Sequence, residues 1–173
     1  MDKLCFVLLM LSLFVACGES GNKSQQANSN NLFNDKTRLE NINQYLTEKD
    51  MDIIKGHIRR QGWKMQLSSN GYFYEIYDEG KAPKITDGNE VEYEYIISLL
   101  NGNVLYKFDE PKTFIVSGSE EISGLHYAIK HVGCGGSAKF IFPPQLAYGL
   151  MGDMNKVPAR SIVVYDVKVT NVK

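Results

Sequence analysis

The stretch FPPQLAYGLMGD, Phe142 to Asp153, joins two adjacent prolines, a tyrosine between small residues and two glycines. Pro143 and Pro144 fix φ and remove backbone donors, so a strand reaching Phe142 stops there. Gly149 and Gly152 permit turn geometry that residues carrying a Cβ resist. The run SIVVYDVKV, Ser161 to Val169, follows soon after, with Val163, Tyr165, Val167 and Val169 sharing one face of a last strand. A stiff aromatic loop directly before a final strand is suited to presenting a side chain, and Tyr148 is the one it carries.

Working upstream, GSAKFIF reads as the strand that enters this loop. Ile122, Leu125, Ala128, Ile129 and Val132 mark one face of a single short helix, which Gly133 would end. KTFIV is a further short strand. LNGNVLYKF turns at Asn101-Gly102, and GNEVEYEYIIS alternates, with Val91, Tyr93, Tyr95 and Ile97 on one side and Glu90, Glu92 and Glu94 on the other. MQLSSNGYFYEIY reads as a hairpin around Asn70-Gly71. Residues 64–173, with a core at 88–173, are therefore an α+β domain: a mostly antiparallel sheet whose inner face packs on one short helix.

Residues 35–63 change period. Leu39, Ile42 and Leu46, then Ile54 and Ile58, fall at helical spacing, and TEKD (Thr47 to Asp50) has the make-up of a helix start. Two short helices meeting near Leu46–Thr47 are expected, the second ending around Gly62. Before them, residues 17–34 are a Ser/Asn/Gln/Gly tract that reads as a flexible tether. The N-terminus, residues 1–16, holds an apolar run from Leu4 to Ala16 that is too short to span a bilayer, which takes about 20 residues. It suits the h-region of an export signal. Its end, LFVAC, resembles a bacterial lipobox, which implies cleavage before Cys17 and lipidation of that cysteine. A plain secretory peptide followed by a chance cysteine is the alternative.

The composition excludes several functions. A net charge of −1, with HIRR (His57 to Arg60) as the densest basic cluster, argues against nucleic acid. Loss of Cys5 with the signal and lipidation of Cys17 would leave Cys134 alone, without an intramolecular disulfide. His126, His131 and Cys134 do not converge on one ion at helical spacing, so no metal is expected. Neither a Ser-His-Asp arrangement nor a phosphate loop is present, and no cofactor is expected.

The segments FPPQLAYG…VPARSIVVYDVKV resemble the C-terminal signature of the FK506-binding-protein (FKBP) family of peptidyl-prolyl isomerases, whose pattern is PP-x-x-A-Y-G, a variable loop, I/V-P and a last strand L-V-F-x-V. GNEVEYEYIISLLNGNVLY resembles that family's first core strand and turn, and EEISGLHYAIKHVGCGGSAKF its central helix. The region 45–80 is similar to the lead segment of FKBP-like lipoproteins of Bacteroidetes, including the gliding-motility-associated type. The resemblance implies an antiparallel sheet wrapped around a short helix with an apolar pocket between them. It places Tyr95 and Tyr165 as aromatic walls, Phe114 on the middle strand, Ile122 where a backbone N–H meets the ligand, and Leu125 at the floor, where members often have Trp. Tyr148 matches the tyrosine whose hydroxyl meets the substrate carbonyl, and Val157 the apolar residue before the loop proline. Leu105-Tyr106 stand where many members have Phe-Asp, so the family's acidic side chain is missing there; Asp109 and Glu110 are the nearest acids in the chain.

Isomerising an X–Pro bond needs no nucleophile, metal or proton relay, only a pocket that treats the planar and twisted amide differently. The expected catalytic residues are Tyr148, Tyr95 and Tyr165, with Leu105, Tyr106, Phe114, Ile122, Leu125 and Val157 lining the pocket. The expected partners are proline-containing segments of exported proteins, and the membrane through Cys17. A catalytically weak binding or chaperone module is one alternative, motivated by Leu105-Tyr106. An accessory subunit of a gliding or secretion apparatus in the cell envelope is the other.

Overall fold

The computed structural model describes residues 22–118 and 121–173, with side chains from residue 35 onward except Asp109. Two compact units divide the chain, Met1–Tyr45 and Leu46–Lys173. The described residues of the first unit are helical throughout. The second unit holds the sheet, the short helix and the last turns of α1.

α1 runs from Asn22 to Gln61. The two expected helices are thus one, and Thr47 lies inside it instead of capping a second. No proline and only one glycine, Gly56, fall between these ends, so nothing local breaks the hydrogen-bond ladder. For the same reason the tether expected at 17–34 is helix from Asn22 on; Cys17 and the signal segment lie outside the described residues. The C-terminus of α1 is where the sequence puts it. Gly62 adopts φ 68°, its N–H meets the Arg59 carbonyl and the Trp63 N–H meets the Ile58 carbonyl, the paired bonds of a glycine-terminated helix.

Six strands form one antiparallel sheet in the order β1-β2-β7-β8-β4-β5. They are β1 (Gln66–Leu67), β2 (Phe73–Asp78), β4 (Glu90–Leu99), β5 (Val104–Ile115), β7 (Ser137–Phe142) and β8 (Val163–Val172). β3 (Lys81–Lys84) and β6 (Gly133–Cys134) make a separate short pair. The alternation read from β4 and β8 holds: Val91, Tyr93, Tyr95, Ile97, Val163, Tyr165, Val167 and Val169 are all buried. They close over α2 (Ser123–Ala128), whose Leu125 and Ala128 are fully buried. Burying Leu125 alone contributes about 1.5–3 kcal/mol.

Three details depart from the expected elements. VLYKF and KTFIV are not two strands but the single β5. Tyr93 pairs with Lys112 and Tyr95 with Phe108, so β5 bulges between those pairs and takes Pro111 inside the bulge. A proline is tolerated there because β5 is an edge strand. The short helix ends in a 3-10 turn, Ile129–His131, and not at Gly133. Gly133 instead lies in β6, where an added Cβ would stand 2.0 Å from the Lys81 carbonyl oxygen. Finally, the outer face of the sheet is also covered: Ile54 of α1 packs with Phe73, Ile141 and Val164, flanked by Ile58 and Trp63.

Candidate functional site

The loop after β7 is built as its residues dictate. Pro143 takes φ −68° in extended backbone and ends the strand, and Pro144–Leu146 form a 3-10 turn. The Gly149 N–H returns to the Pro144 carbonyl at 2.8 Å with φ 63°, which closes a tight frame around Tyr148. Further on, the Arg160 N–H bonds the Gly149 carbonyl at 3.1 Å. The Arg160 guanidinium donates to the Leu46 carbonyl and to Asp50 at 2.7 Å, tying the base of the loop to α1.

Every pocket residue named from the sequence falls in or against one apolar cluster. Tyr95, Leu105, Phe114, Ile122, Leu125, Val157 and Tyr165 are buried members of it, and Tyr106 and Tyr148 pack on it half-buried. β4 and β8 set the rings of Tyr95 and Tyr165 parallel, 6.3 Å apart. Phe142 meets Tyr165 edge-on at 5.4 Å. The hydroxyls of Tyr148 and Tyr165 share a hydrogen bond of 2.8 Å. Ile122 stands at the N-terminus of α2 in extended backbone, φ −63° and ψ 144°.

Two acids that the sequence reading did not assign reach this cluster. Glu121, adjacent to Ile122, has a side chain only 7% exposed. It accepts a hydrogen bond from the Tyr93 hydroxyl at 2.9 Å and pairs with Lys112. Burial, then the Glu121 charge, pushes the Tyr95 hydroxyl up to about 12. Burial is also the first cause of the upward shifts of Tyr93, Tyr148 and Tyr165, and Glu121 adds to each. These phenols therefore stay neutral throughout the physiological range.

Asp153 is the second acid. The Tyr106 hydroxyl donates to it, and its other oxygen accepts from the amides of Asn155 at 2.9 Å and Val157 at 2.7 Å. Burial disfavours its charge, but these bonds outweigh that and hold the carboxyl below its ordinary value. The bond to Asp153 is the leading cause of the rise of the Tyr106 hydroxyl. An acid beside Tyr106 thus comes from the loop after β7. Glu110 is exposed on β5, and the Asp109 side chain is outside the described residues. Asp153 had a partial signal: an aspartate two residues before Asn155 is placed to bond its own backbone. Its meeting with Tyr106 had none, nor had Glu121 with Tyr93.

Comparison with known proteins matches this architecture. The FKBP-type peptidyl-prolyl cis-trans isomerase model matches residues 81–170, more than half of the chain. FkpA of Escherichia coli K12, itself described as an FKBP-type peptidyl-prolyl cis-trans isomerase, is 32% identical over 112 residues, 63% of this chain and 40% of FkpA. FkpA of Buchnera aphidicola subsp. Schizaphis graminum is 31% identical over 144 residues, 80% of this chain and 53% of that protein. The chain therefore spans about half or less of the length of these relatives. The crystal structure of E. coli FkpA aligns with 100% of this chain and 83% of its own, with a TM-score of 0.62 and 25% identity. That of AtFKBP13 shares the fold, at a TM-score of 0.58 over 64% of this chain and 99% of its own, with 24% identity. With β4, β5, β7, most of β8, the short helix and the Pro143–Gly149 loop inside the matched region, the chain belongs to the FKBP-type peptidyl-prolyl cis-trans isomerase family.

Proposed function

We propose that this chain exchanges the cis and trans forms of X–Pro bonds in exported proteins, held at a cell-envelope membrane by lipid on Cys17. The observation that carries the reading is the convergence of Tyr95, Tyr148 and Tyr165, from two strands and the loop, on one buried cluster within the family-matched region. Rotating the bond crosses a barrier of ~18–20 kcal/mol set by amide resonance. Uncatalysed exchange takes tens to hundreds of seconds. The planar amide is polarised, whereas the twisted amide has lost its N–C=O conjugation. An apolar enclosure that strips water from the carbonyl therefore penalises the planar form more, and each ~1.4 kcal/mol of that difference is tenfold in rate. In this reading Tyr148, neutral and hydrogen-bonded to Tyr165, anchors the carbonyl by its hydroxyl.

The test is cis-to-trans exchange on a short X–Pro peptide and on a proline-limited refolding protein, with Tyr148→Phe beside the wild type. Activity well above background that falls in the variant is expected; no activity from the folded chain on either substrate overturns the reading. Anchoring is tested separately: Cys17→Ser abolishes acyl labelling and releases the protein from membranes, and unchanged labelling refutes it.

A second reading is favoured by the Tyr148–Tyr165 bond and by Tyr106 at the position of the family's acid. With the anchoring hydroxyl already engaged, the domain would act as a binding or chaperone module with weak catalysis. Client binding that persists in a Tyr148→Phe/Tyr165→Leu variant with wild-type exchange rates would select it. The likeness of the lead segment to gliding-type lipoproteins supports a place within an envelope apparatus. Stoichiometric partners after mild cross-linking in membranes are then expected, and a protein recovered alone opposes that placement.

A further inference from the structure

α1 turns a histidine toward the sheet. Ile54, His57, Ile58 and Gln61 recur at helical spacing, and this face of α1 lies on the outer side of the sheet, opposite the tyrosines of the candidate pocket. His57 is only 7% exposed. Its imidazole meets the Trp63 ring edge-on at 5.2 Å but has no hydrogen-bond partner among the described residues. A buried polar group ordinarily has a partner, and an aliphatic side chain would pack this stripe as well, so the imidazole calls for one. It borders a cleft of about 250 Å³, lined also by Trp63, Leu99, Leu100, Lys139 and Asp166.

The lining narrows the ligand. Lys139 pairs with Asp166 at 3.0 Å, and its ammonium stands 4.6 Å over the Trp63 ring, so neither lining charge is unpaired. Burial, then the Arg60 charge, lowers the His57 pKa, and the imidazole is neutral at pH 7. A carboxylate or an ammonium would find no free countercharge here. Leu99 and Leu100 offer apolar surface instead. A cavity of about 150 Å³ holds benzene, so this cleft has room for a substituted six-membered ring. A hydroxyl both donates and accepts, and on such a ring it satisfies His57 in either tautomer. The turn that forms one wall is fixed by its own bonds: the Gly102 N–H meets the Leu99 carbonyl and the Leu99 N–H the Asn103 carbonyl, both at 2.9 Å.

We propose that this cleft is a second ligand site, separate from the candidate pocket, which binds a neutral phenol ring with its hydroxyl on His57. The ring can belong to a free small phenol or to a tyrosine of a polypeptide. Neither source depends on the isomerase reading.

The experiment titrates the full-length protein with p-cresol, toluene, benzoate and the peptide Ac-Gly-Tyr-Gly-NH2. Trp63 is the chain's single tryptophan, so its selectively excited fluorescence reports the cleft. p-Cresol should give a saturable change with a Kd of about 1 mM, about tenfold tighter than toluene, and benzoate should give none. In His57→Leu, which keeps the apolar packing, the advantage of p-cresol over toluene disappears. A readout without substitution stands beside it: the His57 ring-nitrogen NMR shifts of the wild type follow p-cresol with the same Kd. Peptide binding as tight as that of p-cresol assigns the site to tyrosine on a polypeptide, and p-cresol binding without it assigns the site to free phenols. Equal wild-type affinities for p-cresol and toluene, a p-cresol advantage that survives in His57→Leu, unmoved His57 shifts, or no saturable response overturns the site.

Discussion

Removing one hydroxyl of the Tyr148–Tyr165 pair should cost more than removing both costs beyond it. Tyr165 is 1% exposed and its ring lies between those of Tyr95 and Phe142, so Tyr148→Phe strands its hydroxyl in an apolar setting. A buried polar group left without a partner costs about 1–3 kcal/mol. In Tyr165→Phe the orphan is the hydroxyl of half-buried Tyr148, which can turn to water, so the loss is the net value of one hydrogen bond, about 0.5–1.5 kcal/mol. The double variant Tyr148→Phe/Tyr165→Phe leaves no orphan, and its loss should fall short of the sum of the singles by about 1 kcal/mol. Urea unfolding at constant m measures all four corners of the cycle. In exchange assays Tyr148→Phe should lower kcat/KM about tenfold, because a carbonyl anchor is worth about 1.4 kcal/mol, and Tyr165→Phe should lower it less. Additivity within about 0.5 kcal/mol would refute the pairing. Equal activity losses in the two single variants would refute the anchoring role of Tyr148.

The loop frame makes a second prediction. Gly152→Ala forces a Cβ against the Val157 carbonyl oxygen, so it should cost about 2 kcal/mol or more and reduce activity. Gly102→Ala, at φ 85° with nothing within 4 Å, should cost only backbone strain of about 1 kcal/mol; equal melting temperatures for the two variants would contradict the collision. The Arg160–Asp50 pair, with the Asp50 side chain 10% exposed, makes a third: Asp50→Ala should destabilise by about 2 kcal/mol, read as a lowered urea midpoint, and a midpoint unchanged from wild type would show that α1 does not brace the loop. A fourth concerns pH. Tyr95 is raised from 10.0 to about 12, and Tyr93, Tyr148 and Tyr165 are also raised. Above pH 10 the folded chain then holds protons that the unfolded chain releases. The associated stability is full below about pH 10 and is lost as the pH climbs toward 12. Thermal midpoints should be flat from about pH 7 to about pH 9.5 and fall above, and a midpoint unchanged at about pH 11.5 would disprove the coupling.

Much of this architecture is written locally. The alternation of Val91 to Ile97 and of Val163 to Val169 assigns a buried face to each strand because side chains on a strand alternate by pleat. Gly62 ends α1, Asn101-Gly102 turns β4 into β5 and Pro143 stops β7, each through its own φ preference or missing donor. The burial of Tyr95 and Tyr165 in one apolar cluster was legible too, since strand periodicity already turned both inward. Tertiary structure decided the rest. Whether VLYKF and KTFIV were one strand depended on β5 lying at the sheet edge, where Pro111 and a bulge interrupt no second partner. Gly133 was spent on close approach to β3 and not on a helix cap. The polar wiring was likewise hidden: Tyr106 meets Asp153 47 positions away, Tyr93 meets Glu121 28 away, and Tyr148 meets Tyr165 17 away. Propensity and period act over a few residues, whereas a hydrogen bond between side chains depends on where the folded chain returns. The residues alone thus determined the strands, the short helix and the buried face of each, whereas the return of the 143–162 loop brought Asp153 to Tyr106 and Tyr148 to Tyr165, and the entry to α2 brought Glu121 to Tyr93.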